Sequence, residues 1–376
     1  MLTDSELKAL PSALQGHFIK LEHDIVETIA QHIGDIGRLS ATDVHRLDQL
    51  QKLGFNMESI QAEIAKTVET SEQEILDLFI KASETEYGGM KEVFDLTGTK
   101  WIPFDENERL IDLVHRISRA TFMDFQNIAD ARMIGFIAAD GRHLPLYDFY
   151  QRSVDYAITQ VESGQIDFYG AMRSVVRPMS ERGLTYVEWE SGYRRRVDST
   201  VRQNLLGGLQ DLSRQQAEML GAEIGADGME ISWHSGHRPS HWFGGMQFTL
   251  EGYERDIKPL MEEPNCYHRA FPIVMGISIP AYTDEQLEEL RENEVKPRYF
   301  EGKAYTQYKA EQKQRRYETS IRKQKDLING FTALGDEESA KSAKIRLRQL
   351  QGSYRDFSGA VQLSTKPLRT RVPIPA

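Results

Sequence analysis

Apolar positions recur every three or four residues through the first half of the chain. Leu14, Phe18, Leu21, Ile25, Ile29 and Ile33 form one stripe, which predicts an amphipathic helix. Val44, Leu47, Leu50 and Leu53 predict a second, with Ser40 as its cap, Asp43 completing the start and Gly54 as its left-handed stop. "SEQEILDLFIKAS" predicts a third, capped by Ser71 with Glu74 three residues on. The pattern breaks between Glu86 and Glu106, where "YGGM", "GTKWIPFDENE" and Pro103 predict loops. It resumes with Leu110, Leu113, Ile117 and Phe122. A turn at Asp140-Gly141 precedes two further helices, from about Tyr147 to Ser163 and from about Asp167 to Arg182.

Beyond Leu184 the periodicity changes. Leu184, Tyr186 and Glu188–Trp189 predict a short strand, Ser191-Gly192 a turn, and the next stretch a long helix from about Arg196 to Glu223. Gly207-Gly208 should weaken that helix by about 1 kcal/mol each. Met229, Ile231 and Trp233 alternate, as in a strand. "MQFTLEG" predicts another strand, and "RAFPIVMGISIPAYT" leads into a short helix capped at Thr283. The end predicts a helical hairpin, broken at Asn329-Gly330, whose return arm is capped by Asp336. Its stripe of Ile345, Leu347, Leu350, Tyr354 and Phe357 is thin, which predicts an exposed hairpin that docks on something. The fold class expected is α+β: a predominantly helical region over 1–182, a small β-containing module over 183–300, and a basic helical hairpin with its tail over 301–376.

Charge adds a second division. The formal net charge is -11, which argues against a protein that simply coats nucleic acid. Residues 303–376 nevertheless carry 16 Lys+Arg against 7 Asp+Glu. A basic tail on an acidic body predicts contact with nucleic acid, an acidic partner or a neighbouring copy; a solvated Lys/Arg-rich pair is the alternative. No long apolar run predicts a membrane segment, and the N-terminus lacks the basic flank and apolar core of a secretory signal. The single cysteine, Cys266, excludes an internal disulfide and fits a reducing compartment.

Candidate chemistry concentrates in "WHSGHRPSH" and "NCYH". His237 and His241 lie four apart, and Cys266 and His268 two apart, so these four make a candidate zinc site, although the spacing is not that of a standard finger. Alternatively, His234, His237 and His241 serve as acid and base with Arg238 as an anion clamp, giving a metal- or histidine-dependent nuclease-like enzyme. In the third reading these side chains only fix a tight loop, stiffened by Pro239. "LLGGLQ" and "WFGGMQ" lack the context of a phosphate-binding loop.

Taken together, "GADGMEISWHSGHRPSH" and "NCYHRAFPIVMGIS" resemble the phage minor capsid protein family, related to the MuF-like head morphogenesis proteins. The matching positions are Asp227, Gly228, Glu230, Ser232, His234, Gly236, Arg238, Pro239, His241, Asn265, Cys266 and His268. The likeness is strongest over about 180–376. It departs after His241, where Trp242, Phe243 and a glycine pair replace the usual small or polar residue and Gln-Gly turn.

The resemblance implies a structural head protein of a tailed phage or prophage, not an enzyme, with the middle of the chain as the MuF-like module. It further implies low copy number, portal and capsid or scaffold partners at the procapsid interior, assembly in the host bacterial cytoplasm and residence in the virion. Contact of the basic hairpin with packaged DNA, and ejection with it, are further expectations. Asp227, Glu230, His234, Gly236, Arg238, Pro239 and Asn265 then act as a fold signature, with Arg238 bracing the loop. Related head proteins often carry cysteines where this chain has Arg238, His241, Cys266 and His268, which leaves zinc on His237, His241, Cys266 and His268 open.

Overall fold

The first helix, α1 (Ser12–Ile36), forms where the stripe places it, and Leu14, Phe18, Leu21, Ile25, Ile29 and Ile33 are all buried. The computed structural model describes residues 11–128, 133–164, 167–187, 193–263 and 266–372. The expected strand end at Glu188–Trp189, the turn at Ser191-Gly192 and the motif residue Asn265 lie outside them.

The second and third expected helices are one, α2 (Arg46–Gly88). Ser40 closes a turn instead of capping it: the Asp43 and Val44 amides donate to its carbonyl, and the helix starts later. Gly54 lies inside the helix, and the Ser71 hydroxyl donates to the Thr67 carbonyl at 2.7 Å. Leu53, Met57, Ile60, Ile64, Val68, Ile75 and Phe79 carry a buried stripe through both expected breaks. Burying such a side chain is worth about 1.5–3 kcal/mol, more than the roughly 1 kcal/mol a helical glycine costs. Leu47, expected on the apolar face, is 77% exposed.

After α3 (Lys91–Thr97) comes an irregular stretch, then α4 (Glu108–Ile128), with Leu110, Leu113, Ile117 and Phe122 buried as expected. Strands β1 (Ile134–Ile137) and β2 (His143–Pro145) form a hairpin around Asp140-Gly141. The Asp140 carboxylate accepts the Arg142 amide at 2.9 Å, and Gly141 supplies a φ of 86°. Helices α5 (Leu146–Glu162) and α6 (Phe168–Arg182) follow, the latter capped by Asp167. Strands β3 (Thr185–Val187) and β4 (Arg194–Arg196) complete an antiparallel sheet of order β2-β1-β3-β4.

Helix α7 (Val197–Ile224) runs unbroken through Gly207-Gly208. A Cβ on Gly208 would stand 2.1 Å from the Thr121 hydroxyl and 2.9 Å from the Phe79 ring. The missing side chain is what lets α7 approach α2 and α4, so this glycine is a packing contact.

The β module pairs β5 (Gly228–Ile231) with β6 (Gln247–Thr249) on one side and β7 (Ala270–Ile273) on the other, both antiparallel. Met229, Ile231, Phe243, Tyr253, Ile257 and Ala270 give it a small core of its own. Arg269 joins it to the helical body: its Nη1 donates to the Leu209 carbonyl at 2.8 Å, and its Nε lies 3.3 Å from the buried Glu86 carboxylate.

Helix α8 (Asp284–Val295) begins at Thr283 with a complete capping box to Gln286. A hairpin of β8 (Arg298–Phe300) and β9 (Lys303–Tyr305), absent from the sequence reading, leads into α9 (Gln307–Leu334) and α10 (Glu337–Ala360). Asp336 caps α10 through the Ser339 amide, as expected. Asn329-Gly330 does not break α9, which ends at Gly335. Asn329 donates to His23, and a Cβ on Gly330 would meet Val176 at 2.7 Å.

Nor is the hairpin exposed. Ile321, Ile328, Phe331 and Leu334 of α9 belong to the main core with α1 and α6, while Ile345 faces solvent. The stripe looked thin because much of the buried face of α9 is polar: Gln314, Glu318, Arg322, Asp326 and Asn329. Arg322 reaches Asp198, so part of the tail's basic surplus meets the acidic body of its own chain.

Candidate functional site: the histidine loop

The motif loop leaves β5 at Ser232 and returns to β6. Ser232 joins the two halves of the motif, because its carbonyl accepts His268 Nδ1 at 2.7 Å and its hydroxyl accepts the Arg269 amide at 2.8 Å. Asp227 accepts the Met275 amide at 2.7 Å. Glu230 accepts Gln247 Nε2 at 2.7 Å and the Ala281 amide at 2.9 Å, holding β6 and the loop before α8. Gly236, at a φ of 72°, donates its amide to Glu294 at 2.9 Å. Arg238 donates to Glu263, just before the second motif segment. Pro239 is exposed. The two aromatics differ: Trp242 is exposed and Phe243 fully buried.

Backbone carbonyls orient the imidazoles. His234 Nδ1 faces the Ser235 carbonyl at 3.2 Å, His237 Nδ1 the Arg238 carbonyl at 3.0 Å, and His268 Nδ1 the Ser232 carbonyl. A carbonyl only accepts, so these Nδ1 atoms carry the protons and a neutral ring keeps its lone pair on Nε2. The Nε2 atoms of His237, His241 and His268 are buried without a hydrogen-bond partner. The ring of His268 lies 4.3 Å from that of His234 and 5.4 Å from that of His241, centroid to centroid. Burial draws His268 down to about 3, with like charge from His241 and His237 adding to it. Burial and Arg238 also lower His241. Burial pushes the Cys266 thiol up to about 11, and its Sγ lies 3.8 Å from His241 Nδ1.

Backbone carbonyls fix the Nε2 lone pairs of two of the four candidate ligands, His237 and His268, an arrangement that suits a transition metal chemically. The spacing is looser than a closed site. Zinc bonds of about 2.0–2.3 Å put tetrahedral donors less than about 4 Å apart. Among the described residues, no three donors of this loop lie within 4.8 Å of one another; His23, Asp24 and Glu27 on α1 do. His23 is already engaged by Asn329.

The sequence reading missed Glu263, Glu294 and Arg269, which hold the loop from outside the motif. Ser232 sat within the family pattern, but no local spacing marks the two glutamates.

Fold and loop define a mostly helical α+β protein in which the motif residues close a small sheet that Arg269 ties to a helical body. The family model described as phage minor capsid protein 2 matches residues 2–358, and the chain belongs to this family of structural phage head proteins. No curated protein and no solved structure matches it. Among the described residues no helix is long and apolar enough to cross a membrane.

Proposed function

We propose that the chain acts as a low-copy component of the head interior, facing portal and scaffold, with the outer face of α10 against packaged DNA. The observation that carries the DNA contact is the placement of Lys341, Arg348 and Arg355. All three are exposed and seven residues apart, so they form one stripe with a repeat of about 10.5 Å along the helix. The test is a DNA mobility-shift assay across salt, with a pull-down of portal protein alongside. Three phosphate contacts give a log–log salt slope steeper than that of the triple alanine variant by about 2.7. Equal slopes reject the DNA contact, and failure to retain portal rejects the docking.

The second reading is a zinc-bearing module on His237, His241, Cys266 and His268, supported by the buried, unpartnered Nε2 atoms. Elemental analysis of untagged protein decides it: less than about 0.2 zinc per chain rejects a structural ion, because such sites bind tightly enough to be filled.

A further inference from the structure

The histidine loop forms one wall of a cleft of about 370 Å³. The flanks of α7 and α9 form others, contributing Arg202 and Arg315. With Arg238, three guanidiniums line the cleft; among the described residues no carboxylate lines it, and Glu263 and Glu294 hold Arg238 and Gly236 from behind, in a chain whose net charge is -11.

The three guanidiniums differ in their surroundings. Arg238 is engaged by Glu263 and Arg202 by the Tyr267 hydroxyl, both from outside the arginine set. Among the described residues, Arg315 makes no side-chain hydrogen bond or ion pair. Burial lowers Arg202, and like charge from Arg315 and Arg369 adds to it. His241, 1% exposed, and His237 also line the cleft; His237 Nε2 is buried without a hydrogen-bond partner, and His241 Nε2 faces only the Glu263 carboxylate, 3.7 Å away.

An apolar ligand would leave these groups unanswered, and a bare cation would be repelled by them. We propose that the cleft binds a phosphate group, as a phosphomonoester or a phosphodiester, clamped by Arg202 and Arg315 with Arg238, His237 and His241 on the facing wall. Guanidinium forks match pairs of phosphate oxygens. A neutral imidazole accepts the P–OH proton of a monoprotonated phosphate at Nε2, and a protonated imidazole donates from it. The site is independent of the stripe on α10, and because it uses His237 and His241 it is an alternative to zinc on the same imidazoles.

Calorimetric titration of the full chain with inorganic phosphate at low ionic strength tests this. A nucleoside monophosphate and a short single-stranded oligodeoxynucleotide serve as competitors, and their order assigns the source of the phosphate. Arg315→Met is paired with Arg316→Met, which removes the same charge from the neighbouring exposed position on α9. Phosphate should bind the wild type and R316M alike, and R315M at least about tenfold more weakly, the worth of one hydrogen bond to a charged group. Binding should persist in EDTA and in the α10 triple variant. Arg315 is half-exposed, so R315M should keep the wild-type circular dichroism. Absence of phosphate binding, equal binding by R315M and R316M, or loss of binding in EDTA overturns the proposal.

Discussion

Arg322 of α9 donates to the buried carboxylate of Asp198, 3.1 Å away and 124 positions earlier in the chain. Gln15 Nε2 reaches the same oxygen at 3.1 Å, and Arg196 Nε reaches the other at 3.3 Å. Burial works against the Asp198 charge, but Arg322 and Arg196 outweigh it and hold the carboxyl below its usual range. The hairpin is therefore fastened to α7 by charge, and to the main core by Ile328 and Phe331.

Arg322→Met should destabilise the protein by about 1.5–3 kcal/mol, the worth of a hydrogen bond to a charged group, because it leaves the buried Asp198 charge to Arg196 and Gln15 alone. Urea denaturation measures it. Adding Asp198→Asn should recover part of the loss, since it removes the stranded charge. A double variant as unstable as the sum of the two single ones would show that the two groups act separately.

Glycines on helices should respond with opposite signs. Gly54 faces open space within α2, so Gly54→Ala should stabilise by about 0.5–1 kcal/mol. Gly208→Ala forces a methyl into Thr121 and Phe79 and should cost about 1–3 kcal/mol or more. Thermal melts of the two variants check the contrast; shifts of the same sign would contradict the packing described for α7.

These two residues also show how far the sequence was legible. Stripes such as Leu14 to Ile33 fixed helix positions because burial follows the 3.6-residue period directly. Gly54, Ser71 and Asn329-Gly330 misled because local propensity is weak beside packing, which depends on neighbours distant in sequence. The Gln15, Asp198 and Arg322 contacts leave no periodic trace at all. At the histidine loop the residue types and both motif halves were readable, as was the family. The carboxylates that hold Arg238 and Gly236 were not, because Glu263 and Glu294 are brought there by folding alone.

Acid should weaken the helical body through His32. The network assigns its proton: the Tyr150 hydroxyl donates to Nδ1 at 2.8 Å and accepts from Asn56 at 2.6 Å, so Nε2 donates to Gln49 at 3.1 Å. Burial lowers His32 below its ordinary 6.5. The unfolded chain then binds a proton that the folded chain refuses. The contribution is complete above about pH 6.5 and is lost as pH falls below it, by up to about 1.4 kcal/mol per pH unit. Denaturation between pH 7 and 5 should show a shallower slope for His32→Gln than for the wild type. His23, also lowered by burial, leaves a residual slope of the same sign. Parallel slopes would remove His32 from the account.

The junction between the β module and the helical body rests on Arg269. Glu86 is pushed upward by burial and drawn back by Arg269, so each needs the other. Arg269→Met removes the charge, frees the Leu209 carbonyl and leaves Glu86 to take a proton. The loss should be local and about 3–5 kcal/mol, read by hydrogen exchange as faster amides in β5 and β7 with α9 and α10 unchanged. Glu86→Gln on the same background should restore part of the protection, because the neutral amide no longer needs a counter-ion. If α9 exchanged as fast as β5 in the single variant, the module and the helical body would unfold as one unit, and Arg269 would be a core contact rather than the fastening between them.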